Sequence, residues 1–324
     1  MIRKRKEAGA ALLSILLIVA ALSVAALIAT EAIARQTELH KLGSRKTMAV
    51  WASRSAEALA ISVAAELVQA SRLPADTDTE KRQAQLAFPV EGGQITLILE
   101  ELPPCLNLNA LGSTDPAVHA HAASALRILL EDMGMPSNDA VRSVAVLADW
   151  IDADNDTRPY GAEDSDYLAQ NLSYRASNQP LTDLHELAAI PEFTPSLRAA
   201  LRPFVCALPQ SEMMTLNLNA LTPMSAQVLR ASAGGRISMT EARRFIDNRP
   251  AAGWANVQQA RDSVLSQPQL ESALSVLTLS TQGEYFSGKG TATLDAGRWT
   301  FRFLMQAGSG RKVVIVAREV GGAE

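Results

Sequence analysis

Side chains that commonly carry chemistry are scarce in this chain. Its 324 residues include four histidines and two cysteines, and aromatics make up only 5%. The histidines, His40, His119, His121 and His185, are scattered. His119 and His121 stand two apart in an expected helix, so they point to different faces and make a poor metal pair. No nucleophile motif accompanies them, which leaves the usual nucleophile-and-base constellations without members. Positive charge is also thin: 30 Lys and Arg stand against 34 Asp and Glu, for a net charge of −4. Beyond a short basic N-terminus, the cations are dispersed over helix faces. A nucleic-acid binder gains affinity by releasing counterions from a cationic patch, so no nucleic-acid partner is expected.

Helix breakers are missing from the first seventy residues. Between Gly9 and Pro74 only Gly43 interrupts, and proline is absent. A basic head, Arg3 to Lys6, runs into Ala8-Gly9, and Ala10 to Ala29 carries no charge. Twenty such residues rise about 30 Å as a helix, the thickness of a bilayer's hydrocarbon core. Ser14 and Ser23 do little harm there, because a hydroxyl can bond back to a carbonyl of the preceding turn. A secretory signal would end at a small-residue cleavage site followed by loose chain. Here the apolar run instead continues into a polar helical pattern past Trp51 and Glu57 to Arg72. Cleavage, if it occurs, belongs on the basic side after Gly9, leaving the span attached; an unprocessed signal-anchor is the simpler alternative. The basic flank keeps the N-terminus cytoplasmic and exports the remainder. In a bacterium this gives a single-pass inner-membrane protein with its bulk in the periplasm. Cys105 and Cys206 would meet an oxidising compartment there, which favours a disulfide over two buried thiols.

The rest of the chain is long enough for one large core or two modest ones. Asp76 to Gln85 reads as a connection. Phe88–Val90 and Gln94–Glu100 read as strands around a Gly92-Gly93 hairpin. From Asp115 to Pro209 the period is helical: Ala117–Met133, Asp139–Ile151, Leu181–Ile190 and Pro195–Phe204, with Pro136-Ser137-Asn138 as break and cap. The hexapeptide Leu106-Asn107-Leu108-Asn109-Ala110-Leu111 recurs without mismatch as Leu216-Asn217-Leu218-Asn219-Ala220-Leu221. The second copy leads into helices at Pro223–Ala233 and Thr240–Asn248, joined at Gly234-Gly235. That unit resembles the SAM-like or helix-hairpin-helix module; with an acidic balance and export it is expected to serve packing. Beyond Gln269 the period becomes that of strands, at Val276–Leu279, Tyr285–Leu294, Arg298–Gln306 and Lys312–Arg318. These can join the hairpin in one antiparallel sheet packed on the N-terminal helix.

The densest chemistry lies between Asp149 and Glu163. With Asp152 as position 1, acids fall at Asp152, Asp154, Asp156 and Glu163, the 1, 3, 5 and 12 spacing of an EF-hand loop. The carbonyl of Arg158 falls at position 7. Hard oxygens at alternate positions converge when the chain curls around a cation, so calcium is the expected ligand. Thr157 stands where an EF-hand has glycine and Pro159 where a β-branched residue is usual, so an independent loop with similar spacing is expected. A solvated acidic turn is the plainer alternative, although acids packed this closely repel without a cation. A catalytic carboxylate pair, making the chain a membrane-anchored periplasmic hydrolase, is a third reading.

The basic leader ending in glycine and the half-apolar helix resemble the type IV pilin class. That resemblance implies cutting after Gly9 by a prepilin peptidase and methylation of Ala10. Most of the class has glutamate at the fifth mature position, here Ser14, and the branch without it is the minor pseudopilin K family of type II secretion. Asp149-Trp150-Ile151-Asp152-Ala153-Asp154, Gly161-Ala162-Glu163 with Tyr167, Tyr174 to Leu181, Leu216 to Ala220 and Tyr285-Phe286 all resemble that family's signature. The resemblance implies an α+β fold, with a long pilin helix on an antiparallel sheet and a large all-α domain inserted in the head. The corresponding segments are the leader 1–9, helix 10–72, first strands 73–104, a helical domain 105–209, a second SAM-like unit 210–268 and closing strands 269–324. It further implies structural calcium in the acidic loop and no enzymatic activity. The implied partners are minor pseudopilins of the I, J and H types, the prepilin peptidase and the inner membrane. The implied role is at the pseudopilus tip, in initiation or capping and in export across the outer membrane. A minor tip pilin of a type IV pilus is the alternative within the class.

Overall fold

With only Gly9 and Gly43 to soften it, the first helix, α1, runs unbroken from Arg3 to Gln69. The computed structural model describes residues 3–69, 83–90, 92–294, 297–308 and 312–323, and side chains of α1 over 12–66 except 45, 46 and 49. Pro74 and residues 76–82 of the expected connection therefore lie outside the described residues, while Gln83 to Gln85, expected as connection, already belong to a strand. The backbone of α1 passes through Gly9 and Ala10, whose side chains are also outside them. Leu12–Ser44 is long and apolar enough to cross a membrane, and none of it is buried within the chain.

The C-terminal half of α1 has a different surface. Ala52, Ala56, Ala60 and Ala64 recur at four-residue spacing and are at most 7% exposed. This spacing places them on one helix face, and their small side chains let the helix lie close to a sheet. Strands β1 (Gln83–Val90) and β2 (Gly93–Glu101) form the expected hairpin, which begins earlier than its sequence pattern suggested. The sheet is completed by β7 (Tyr285–Leu294), β8 (Gly297–Ala307) and β9 (Val313–Ala323), in antiparallel order β1-β2-β7-β8-β9. Ile95, Leu97 and Leu99 on β2, with Trp299, Phe301, Phe303 and Met305 on β8, bury against the alanine face. Period-two alternation supplies that face and leaves polar residues on the other. Gly288 and Gly290 on β7 sit opposite Phe303 and Phe301, and a Cβ on either glycine would lie 2.0 Å from a ring carbon. Those two glycines are the space the rings occupy. Buried Glu57 of α1 accepts from Arg318 Nε of β9 at 2.9 Å and from Arg54 at 3.2 Å, tying helix to edge strand.

Between β2 and β7 the chain leaves the sheet to build a second, helical core. The two-residue strand β3 (Leu106–Asn107) opens it and pairs in parallel with β4 (Val205–Cys206). Between them lie α2 (Pro116–Asp132), α3 (Ser137–Ile151), α4 (Asp164–Leu168), a 3-10 turn at Leu184–Ala189 and α5 (Pro195–Leu201). The second hexapeptide repeats the arrangement: β5 (Leu216–Asn217) pairs in parallel with β6 (Leu279–Ser280). Between these lie α6 (Ala226–Ser232), α7 (Met239–Asp247), α8 (Val257–Asp262) and α9 (Pro268–Ser275). The sequence pattern ended this unit at residue 268 and read strand from Gln269, whereas α9 is helical and only Leu279–Ser280 pair. Pro268 explains the difference, since proline suits the first turn of a helix and starts one here. Apolar runs too short to show a period are read either way from sequence.

The repeated asparagines are structural plugs. Asn109 is fully buried; its amide donates to Leu181 O at 2.9 Å and Leu208 O at 2.7 Å, and its carbonyl accepts from Leu181 N at 2.7 Å. Asn219 does the same work in the second unit, donating to Trp254 O at 3.0 Å and Thr281 O at 3.2 Å and accepting from Trp254 N at 2.7 Å. Asn217 departs from its counterpart: its amide bonds the buried carboxylate of Glu101, at the end of β2. Cys105 and Cys206 are joined as a disulfide with Cα atoms 5.8 Å apart. With Leu208, Met214 and Tyr285 they form a small cluster where helical insert meets sheet. His119 and His121 each hold a backbone carbonyl, of Leu111 and Ser232, at 2.6 Å. The fold is α+β, a pilin-like helix and sheet with an all-helical insertion.

Candidate metal centre

The acidic loop starts where α3 stops. A helix C-terminus carries partial negative charge, so acids there are unfavourable without a counter-charge. Asp149, in the last turn of α3, is fully buried, and Asp152 caps the helix with its N–H on Ala148 O at 3.0 Å. Arg158 supplies the counter-charge. Its guanidinium donates to Asp149 Oδ1 at 2.8 Å and to Asp152 Oδ2, and its backbone N–H donates to Asp149 Oδ2 at 3.2 Å. Gly161 lets the chain close over this group, because a Cβ there would lie 1.9 Å from Asp149 Oδ2. From beneath, Trp150 meets Tyr167 of α4 edge-on at 5.2 Å, and Tyr167 stacks at 5.3 Å against Tyr174.

Asp152, Asp154 and Glu163 are brought together, each with a carboxylate oxygen within 4.8 Å of the others. Glu163 is only 2% exposed, yet neither of its oxygens has a hydrogen-bond partner. Asp152 Oδ1 and Asn178 Oδ1 are likewise buried and unpartnered. Buried polar atoms normally find partners, so the orphaned oxygens of Asp152 and Glu163, on carboxylates that approach within 4.8 Å, favour a positive charge beside them. Burial, then the nearby charges of Asp149 and Asp152, push the Glu163 carboxyl up to about 7. Burial pushes Asp152 upward as well, against the opposing pull of Arg158. An all-oxygen set of carboxylates and an amide suits a hard cation of the calcium class.

One member of the EF-hand-like pattern stands apart. Asp156 is exposed and outside the group; its backbone N–H donates to Asp154 Oδ1 at 2.9 Å. The Arg158 carbonyl accepts from Gly161 N at 2.9 Å and closes a turn, and the arginine side chain also enters among the acids. The reason is Thr157. An EF-hand curls at a glycine there, whereas here the left-handed backbone falls later, at Tyr160 with φ 69°. Asn178 was not expected in the site. It docks from across the domain, with φ 47°, donating to Asp154 O at 2.8 Å and Asn155 Oδ1 at 3.0 Å. Its sequence signals are a turn-type asparagine before Gln179-Pro180 and its place in the family-like stretch Tyr174 to Leu181, neither of which points to the acidic loop.

Comparison with known proteins agrees with this anatomy. Residues 104–210 and 216–280, the two hexapeptide-led units, match the family described as "Type II secretion system (T2SS), protein K". The type II secretion system protein K of Pectobacterium carotovorum is 31% identical over 98% of both chains. That of Klebsiella pneumoniae is 33% identical over 98% of this chain and 97% of its own. A solved structure, the GspK-GspI-GspJ complex of enterotoxigenic Escherichia coli, contains a chain that superimposes with a TM-score of 0.68 at 26% identity. The match covers 85% of this chain and 96% of that one. With such identity sustained from end to end, the chain belongs to the type II secretion system protein K family.

Proposed function

We propose that this chain is a minor pseudopilin that ends the type II secretion pseudopilus, supporting its initiation or capping and thereby export across the outer membrane. The observation that carries the reading is the match, across almost the whole solved chain, to the K component of a K-I-J complex. Partners of the I and J types, with H in the same tip, follow from it. The apolar half of α1 holds the subunit in the inner membrane until it packs among neighbouring helices. The basic head before it is the leader that a prepilin peptidase removes after Gly9, leaving Ala10 methylated. Ser14 fits a terminal position, where no subunit above offers an amine for a glutamate to pair with. The head, with its disulfide between Cys105 and Cys206, works in the periplasm.

The role is assembly rather than turnover. An open groove is lined by Ala169–Leu172, Tyr174, Ala188, Ala189 and Pro191. The acids gather instead at the cation site, where Asp152, Asp154 and Glu163 with the Asn178 amide oxygen would hold calcium. The ion would supply charge neutralisation and tie α3 to α4.

Co-expression of the full chain with its I- and J-type partners tests the reading, by purification from detergent through a tag on this chain. A stoichiometric complex, together with loss of secretion on deleting the gene, is the expected result. Normal secretion in the deletion strain, or a head that captures neither partner, would retire it.

A further inference from the structure

Arg158 reaches two acids of the loop at once, and how it does so assigns it a task. Both oxygens of Asp149 are engaged by this one residue, Oδ1 by its guanidinium at 2.8 Å and Oδ2 by its backbone N–H at 3.2 Å. Asp149 is wholly buried and so acts as an anchor. The same guanidinium nitrogen bonds Oδ2 of Asp152, while Oδ1 of Asp152 stays buried without a partner. Arg158 therefore engages Oδ2 and leaves Oδ1 buried and unpartnered, on a carboxylate that has an oxygen within 4.8 Å of Asp154 and of the partnerless Glu163 carboxylate. Without it, Asp152 would share the negative end of α3 with Asp149 and no counter-charge, and the carboxylate would turn to solvent.

We propose that Arg158 is the positioning residue of the cation site, holding Asp152 by one oxygen so that the other is preset for the ion. The inference rests on the calcium reading above and deepens it. Outer partners that orient metal ligands commonly carry such weight. If the arginine only added charge, removing it would tighten cation binding, because a positive group would leave the vicinity. A positioning role has the opposite sign. It also affects selectivity, since a preset oxygen spacing discriminates between calcium and the smaller, octahedral magnesium.

The experiment is calorimetric titration of the detergent-solubilised full chain with calcium chloride and, separately, magnesium chloride, for wild type and Arg158→Met. The expected result is at least a tenfold loss of calcium affinity, with a smaller loss for magnesium, so that the ratio of the two falls. Calcium affinity unchanged or tightened in the variant overturns the proposal. Equal losses for both ions overturn it too, because a reduced folded fraction scales the two alike. Should Arg158→Met fail to fold, Arg158→Lys is read by the same criteria; it keeps the charge but lacks the planar fork. Wild-type protein that binds no calcium overturns the metal site itself, which separates that failure from this one.

Discussion

Lowering the pH from 8 to 6 should weaken calcium binding about tenfold through Glu163. In the cation-free protein this carboxyl is 2% exposed, unpartnered, and raised from 4.5 to about 7 by burial and then by Asp149 and Asp152. A raised acid favours the protonated folded form, so cation-free stability is greatest below the unfolded value and falls as pH rises through about 7. The full penalty is about 3 kcal/mol, from a 2.5-unit rise at 1.36 kcal/mol per unit. Asp152 is raised in the same direction and adds to it. Calcium needs the ionised carboxylate, so its affinity is full above about 7 and drops up to tenfold per pH unit below. Titration calorimetry in buffers of different ionisation enthalpy, on the full chain in detergent, reads both quantities. Release of about 0.9 proton per ion is expected at pH 6, about 0.5 at pH 7 and about 0.1 at pH 8. Glu163→Gln should abolish that proton release, bind calcium poorly, and in EGTA at pH 8 be as stable as wild type or more so. A calcium affinity flat from pH 6 to 8, or the same slope in Glu163→Gln, would refute the reasoning.

Other consequences are open to direct measurement. Intact mass of the membrane form should show a chain beginning at Ala10; a start at Met1 or beyond residue 29 contradicts the pilin-type leader. Non-reducing peptide mapping should link Cys105 to Cys206, and Cys105→Ser with Cys206→Ser should lower stability by up to about 4.7 kcal/mol, the chain-entropy figure for a loop near 100 residues. Asn109→Ala removes three buried hydrogen bonds and should cost about 3 kcal/mol or more in thermal unfolding, with exposed Asn171→Ala as a near-neutral control. Gly290→Val forces the Phe301 ring off the sheet and should loosen α1 from it, seen as faster amide exchange in Ala52–Ala64, while the helical insert keeps its protection.

The sequence by itself determined what depends on short-range periodicity and composition. An uncharged run that follows lysines and arginines and continues without a breaker reads as a long apolar helix. Alternation at Trp299, Phe301 and Phe303 can only present one apolar face. A hexapeptide that recurs intact marks two units, because the same asparagines must fill equivalent places; the parallel pairs at Leu106 and Leu216 occupy them. Alternate acids from Asp152 to Glu163 pointed to a hard cation, since carboxylates so close need neutralising. Tertiary structure decided which of those oxygens face inward. Asp149 looked like one more acid of the run, yet it is the buried anchor, because the end of α3 turns it toward the core. Arg158 brought its side chain in among the acids, and Asp156 stayed outside, because without a glycine at 157 the chain turns at Tyr160. Asn178 joined the site from 24 residues beyond Asp154, and Glu101 met Asn217 from the end of a strand 116 residues away. The first meeting follows from how one helical unit folds back on itself, the second from how the helical insert packs on the sheet. No local pattern encodes them, because each requires the positions of both chain segments at once.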